Sequence, residues 1–86
     1  MSQTQVIDWE VFRSNLELLV EVEGSAEELA VRTGIPYFTI HNWRKRDQTP
    51  RIGSIKVLAD EYHLTVDDLI GRHLLRDEIK PAAPRM

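Results

Sequence analysis

An all-α fold, a compact bundle of five short helices, is predicted by three observations on this sequence. Apolar residues recur at intervals of three and four, and no stretch shows the strict alternation of a strand. Residues that start helices, Asp8, Ser25 and Thr65, stand before these apolar stretches, the last two with an acid three positions on. Gly24, Gly34 and Pro50 fall in the gaps, where helices end or are interrupted. The 86 residues, 42% of them hydrophobic, suffice for one small domain with a modest core.

Residues 1–7 read as a flexible lead-in. Asp8 caps the first helix, with Ile7 and Phe12 at the spacing of a hydrophobic staple, and Trp9, Phe12, Leu16, Leu19 and Val20 form its inner face. This helix should reach about Val22 and stop near Gly24. Ser25 and Glu28 form a capping box for the second helix, in which Leu29 and Ala30 point inward and Gly34 supplies the left-handed stop. Pro36 suits the first turn of the third, because its missing N–H has no helical partner there. After the polar connector Asp47–Pro50, Ile52, Ile55, Leu58, Ala59 and Tyr62 mark a fourth helix over 51–62. Thr65 with Asp68 opens a fifth, with Val66, Leu69 and Ile70 inward. The domain proper is therefore 8–71, followed by a C-terminal extension over 72–80 and a Pro-containing, disordered tail over 81–86.

The stretch Ser25 to Lys45 carries the functional signal. Two short helices are joined by a tight turn at Thr33-Gly34-Ile35, and the second turns Ile40 and Trp43 inward. Its other face then shows Tyr37, Phe38, His41, Asn42 and Lys45. That arrangement is a helix-turn-helix, whose second helix can enter the DNA major groove and touch base edges.

The net charge of −3 opposes such a role until the charges are placed. Up to Val31 seven acids face Arg13 alone, whereas from Arg32 to Lys56 six bases face Asp47 alone. The remainder is mildly acidic, with four bases against six acids. Positive charge thus gathers around the third helix, and the field at the contact surface matters more than the total. Cysteine is absent, which excludes disulfides and thiolate metal sites. His41, His63 and His73 lie on three segments without ligand spacing, so no metal or cofactor is expected. Without a Gly-rich phosphate loop or a nucleophile beside a base, the chain is not expected to be an enzyme. The opening MSQTQVIDWE is not a signal peptide, and no apolar run approaches the ~18 residues of a membrane span, so a cytoplasmic protein without membrane contact is expected.

The run GSAEELAVRTGIPYFTIHNWRK, continued by TPRIGSIKVLADEYHLTVDDLIG, resembles the lambda-repressor-like helix-turn-helix domains of phage repressors, Cro proteins and their bacterial relatives. The resemblance lies in a joint register of Leu29-Ala30, Gly34, Ile40, Trp43, Pro50, Leu58-Ala59, Val66, Asp68 and Leu69. It implies a five-helix bundle that binds operator DNA, usually as a symmetric dimer. By position, Tyr37, Phe38 and Asn42 match the family's base-reading sites, with His41 beside them. Asn42 suits bidentate bonding to adenine, and the aromatics suit thymine methyls; for Phe38, packing beneath the second helix is the other reading. Lys45, Arg46 and Arg51 would hold phosphates, with Thr39 and the helix start at Ser25 adding contacts. The sequence departs from the family at Ala26, where Gln often braces a phosphate; at Thr33, often larger and apolar; and at Arg46 and His63, often Gly. Arg46 in place of Gly predicts a longer third helix. Arg44 replaces a frequent glutamate, which predicts a pair with Glu17 or Glu21.

Two readings follow. In the first, the chain is a phage- or bacterial-type repressor that binds a near-palindromic operator as a homodimer. Leu74, Leu75 and Ile79 of the extension would form an exposed apolar patch for the partner subunit, unless they fold back against the first helix. Glu27 and neighbouring acids would be placed to touch RNA polymerase. In the second, the chain is a protein-interaction module of antitoxin, anti-repressor or adaptor type that keeps the fold without specific DNA binding. Acidic helix 1, Ala26 and the two aromatics motivate it.

Overall fold

A computed structural model describes residues 8–79 as five α-helices and a short 3₁₀ turn, with no strand among the described residues. The helices are α1 (Trp9–Glu23), α2 (Ala26–Thr33), α3 (Tyr37–Arg44), α4 (Ile52–Glu61) and α5 (Val66–Gly71); the 3₁₀ turn is Arg76–Glu78. The lead-in, its staple residue Ile7, and the tail over 81–86 lie outside the described residues.

Local chemistry sets most boundaries. The Asp8 carboxylate accepts from the Glu10 N–H at 3.0 Å, and α1 ends at Gly24, whose φ of +103° no residue with a Cβ adopts readily. The Ser25 hydroxyl accepts from the Glu28 N–H at 3.1 Å, although the reciprocal half of the expected capping box is not formed. Gly34 closes α2 at φ +77°. The Thr33 hydroxyl donates to the Leu29 carbonyl at 2.9 Å and accepts from the Ile35 N–H at 3.2 Å. Pro36 stands just before α3 rather than within it. Thr65 and Asp68 form the complete reciprocal box at the start of α5.

The expected lengthening of α3 does not occur. Its last helical residue is Arg44, and Arg46 takes the left-handed conformation at φ +66°. The Asp47 N–H bonds back to the Asn42 carbonyl at 2.9 Å and the Arg46 N–H to that of Trp43 at 3.2 Å, which is a Schellman ending with arginine in the glycine position. His63 does the same after α4 at φ +58°, with the Leu64 N–H returning to the Ala59 carbonyl.

The core joins all five helices. Phe12, Leu16 and Leu19 of α1 meet Leu29, Ile40, Trp43, Ile55, Leu58, Ala59, Tyr62 and Leu69, each nearly inaccessible to solvent. Ile52, expected on the inner face of α4, is exposed instead. Trp43 meets Phe12 edge to face at 5.9 Å. Tyr62 donates its hydroxyl to Glu23 at 2.7 Å, burial pushing its ionisation far up. Arg32 approaches the same Glu23 carboxylate to 2.7 Å and that of Glu61 to 3.5 Å; charge attraction holds the first contact, for the Nε–H is not aimed along it.

Of the two readings of Leu74, Leu75 and Ile79, the structure replaces the exposed patch with the fold-back against α1 for Leu74 and Ile79. Leu74 and Ile79 are buried in this chain's own core, and Leu75 alone of the three is exposed. Their anchor is Asn15, a buried polar side chain on α1. Its amide donates to the carbonyls of Leu69 at 2.7 Å and Arg72 at 2.9 Å, and its carbonyl accepts from the Leu74 N–H at 2.9 Å. Arg72 grips Glu78 bidentately at 3.0 and 2.6 Å, and Arg76 pairs with Glu21.

The Arg72 guanidinium, aided by the Leu75 N–H, holds the Glu78 carboxyl at about 2 against an ordinary 4.5. Asp68 is also lowered, chiefly by the Thr65 backbone N–H. Carboxyls depressed in the folded state stabilise it fully above their unfolded values, and that contribution is lost as pH falls through the folded ones. Methyl NMR of Leu74 and Ile79 from about pH 6 to about pH 2 should therefore show the extension loosening towards the acid end. Glu78→Gln should loosen it at neutral pH and flatten that dependence.

Candidate nucleic-acid interface

The position of α3 follows from its inner side. Ile40 and Trp43, with Ile35 in the preceding turn, are buried against the bundle. Two apolar anchors on an eight-residue helix, and a third just before it, leave little rotational freedom, so the outward side chains are fixed by exclusion.

Those side chains are the ones the sequence singled out. Phe38 is 74% exposed, which removes the alternative that it packs beneath α2. Tyr37 is partly exposed, stacks on His41 with ring centroids 5.7 Å apart, and meets Phe38 edge to face at 6.1 Å. Asn42 is half-buried, and its amide nitrogen makes one long bond, 3.4 Å, to the Gln48 side chain. Its amide oxygen has no partner among the described residues, so both atoms needed for a two-point contact are available at little cost. Thr39 is half-buried beside them.

The residues expected to hold phosphates divide into two groups. Arg51, just before α4, is exposed and makes no ion pair among the described residues. Lys45 is exposed, and its ammonium lies 3.7 Å from Asp47, a loose surface pair. The Ser25 hydroxyl caps α2, and Glu27 is exposed on that helix's first turn. Arg46, by contrast, is engaged: its guanidinium grips Glu10 of α1 at 2.8 and 2.5 Å. Arg44 grips Glu17, one of the two partners expected for it, at 2.6 and 2.9 Å.

These pairs line a cleft of about 310 Å³ between α1 and the end of α3, formed by Glu10, Arg13, Ser14, Glu17, Arg44 and Arg46. Arg13 completes it, bonding Glu10 at 2.7 Å and the Trp43 carbonyl at 3.0 Å. Arg46, and then Arg13, hold the Glu10 carboxyl below its ordinary range. Glu17 holds Arg44 the more firmly protonated. Sequence reasoning missed Glu10 and Arg13 here. The available signal was their spacing with Glu17, since residues 10, 13 and 17 share one helix face.

Among the described residues, no helix is long and apolar enough to cross a membrane, and no group of three or more His, Asp or Glu is placed to hold a metal ion. Comparison with family models, with curated proteins and with solved structures gave no match.

Proposed function

We propose that this chain is a sequence-specific DNA-binding transcriptional regulator, a repressor of phage or bacterial type acting in the cytoplasm. The observation that carries the reading is the outward face of α3. A helix anchored by Ile40 and Trp43 presents Tyr37, Phe38, His41 and Asn42 together, with Phe38 largely in solvent. Exposed aromatics beside a loosely held amide suit the major groove, where thymine offers a methyl and adenine a two-point edge. α2, the turn 34–36 and α3 then serve as a helix-turn-helix of the lambda-repressor-like kind. Lys45 and Arg51 set the register on phosphates, with the Thr39 hydroxyl and the backbone N–H groups of the helix start at Ser25 adding contacts. Repression follows from occluding polymerase on a near-palindromic operator bound by a homodimer. With Leu74 and Ile79 in the core, Leu75 is the residue of that trio left for a partner subunit. Glu27 is the candidate for contact with RNA polymerase.

One observation favours the second reading, a protein-interaction module. Two of the arginines counted towards a basic surface, Arg44 and Arg46, are neutralised by Glu17 and Glu10.

Selection of bound sites from random duplexes, followed by fluorescence anisotropy, separates the two. Asn42→Ala should lose about 1–3 kcal/mol of discrimination at one position of each half-site. Lys45→Ala should weaken binding to all sequences alike and reduce the salt slope by about one. Both variants should fold normally, because both side chains lie outside the core. Unchanged preference in Asn42→Ala would move readout to Tyr37, Phe38 and His41. Absence of binding to any duplex at low salt would favour the interaction module.

A further inference from the structure

Glu10 and Glu17 present two carboxylates on one face of α1, separated by two helical turns or roughly 10 Å of rise. Each accepts two N–H bonds from a guanidinium beside the end of α3: Glu10 from Arg46, with a further bond from Arg13 of its own helix, and Glu17 from Arg44. This fork geometry is the one arginine uses towards phosphate. Arg46 leaves the chain at the Schellman turn that ends the proposed recognition helix, and Arg44 leaves its last helical turn, so both adjoin the surface that would meet DNA. All four side chains are at least one-third exposed, and pairs this accessible contribute little to folding and exchange readily. Each carboxylate therefore has the donor set of a phosphate, at the edge of a face read as DNA-binding, with no strong folding role.

We propose that Glu10 and Glu17 are internal phosphate surrogates that occupy Arg46 and Arg44 in the free protein and release them to the DNA backbone when α3 docks. The proposal rests on the DNA-binding reading. It assigns Arg44, not counted among the phosphate contacts above, to the DNA interface together with Arg46. Its consequence is weak retention on DNA that offers phosphates alone, because nonspecific binding is supplied essentially by those contacts.

The test uses the full chain and a fluorescent random-sequence duplex, with anisotropy measured from about 50 to about 200 mM salt. The variants are Glu10→Gln, Glu17→Gln and the double substitution, with Asp60→Asn as the charge-matched control. Asp60 is exposed on α4 and makes no ion pair among the described residues. The double variant should bind at least about tenfold tighter at the low-salt end and steepen the salt slope by up to about 0.9 per arginine released. The single variants should fall between, Asp60→Asn should track the parent, and melting curves should confirm that all are folded. Parental affinity and slope in the double variant would overturn the proposal while leaving DNA binding intact. Equal tightening in Asp60→Asn would overturn it too, by reducing the effect to net charge. If neither the parent nor any variant binds duplex, the DNA-binding reading fails and the surrogate proposal with it.

Discussion

Asn15→Ala is expected to lower stability by about 2–4 kcal/mol, an unusually large effect for a polar residue, because it strands three backbone groups at once. The Leu74 N–H loses its acceptor, and the carbonyls of Leu69 and Arg72 lose their donor, all close to the C-terminal end of α5. Helix ends rely on such partners, since the last carbonyls of a helix have none of their own. At about 4–8 °C per kcal/mol for a domain of this size, melting should fall by roughly 8–32 °C. Asn15→Asp should be worse near neutral pH. Its carboxylate would keep the Leu74 N–H but face two carbonyl oxygens in a site cut off from water. That carboxyl's folded value would be raised, so stability should return as pH falls and it takes up a proton. Calorimetric melting of both variants checks the argument, and a loss below about 1 kcal/mol for Asn15→Ala would mean that the extension contributes little to the bundle.

Trp43→Ala is expected to cost about 3–5 kcal/mol, comparable to the whole stability of many small domains, and to leave the chain largely unfolded at 37 °C. Trp43 is 1% exposed, meets Phe12 edge to face, and anchors the inner side of α3. Trp43→Phe should cost far less. It keeps an aromatic edge against Phe12 and removes a buried indole N–H that has no acceptor among the described residues. Circular dichroism of the two variants separates loss of volume from loss of aromatic contact. If Phe were as damaging as Ala, indole shape would be the requirement and the edge-to-face contact secondary.

What could be read from the sequence was local. The partners of Asp8, Ser25 and Thr65 lie two or three residues away, and Gly24 and Gly34 act through their own φ, so each cap is visible in a short window. The inward set of α3 was equally legible, because Ile40 and Trp43 fix the face by spacing. The extension was not. Whether Leu74 and Ile79 turn inward depends on Asn15, which lies 59 residues before Leu74, and an Asn within a helix carries no mark of its partners. The same limit applies to charge. Counting along the chain placed Arg46 in a basic segment, whereas its partner Glu10 lies 36 residues earlier, on the helix counted as acidic. The end of α3 was misjudged for another reason: arginine can bear a left-handed φ, at a modest cost, where three backbone bonds favour the turn.

The Asn15 anchor also governs when this protein can finish folding as it is made. At about 5–20 residues per second, the ribosome needs roughly 3–12 s to pass from Asn15 to Leu74. For most of that interval α1 is complete, yet the buried amide has none of its three partners until Leu69 is made, and the apolar side chains beside it lack Leu74 and Ile79. The nascent chain must therefore carry an amphipathic α1 with an unsatisfied face, open to chaperone capture. Only when residues near Ile79 clear the exit tunnel can the bundle lock, so closure of the core waits on the extension that follows α5.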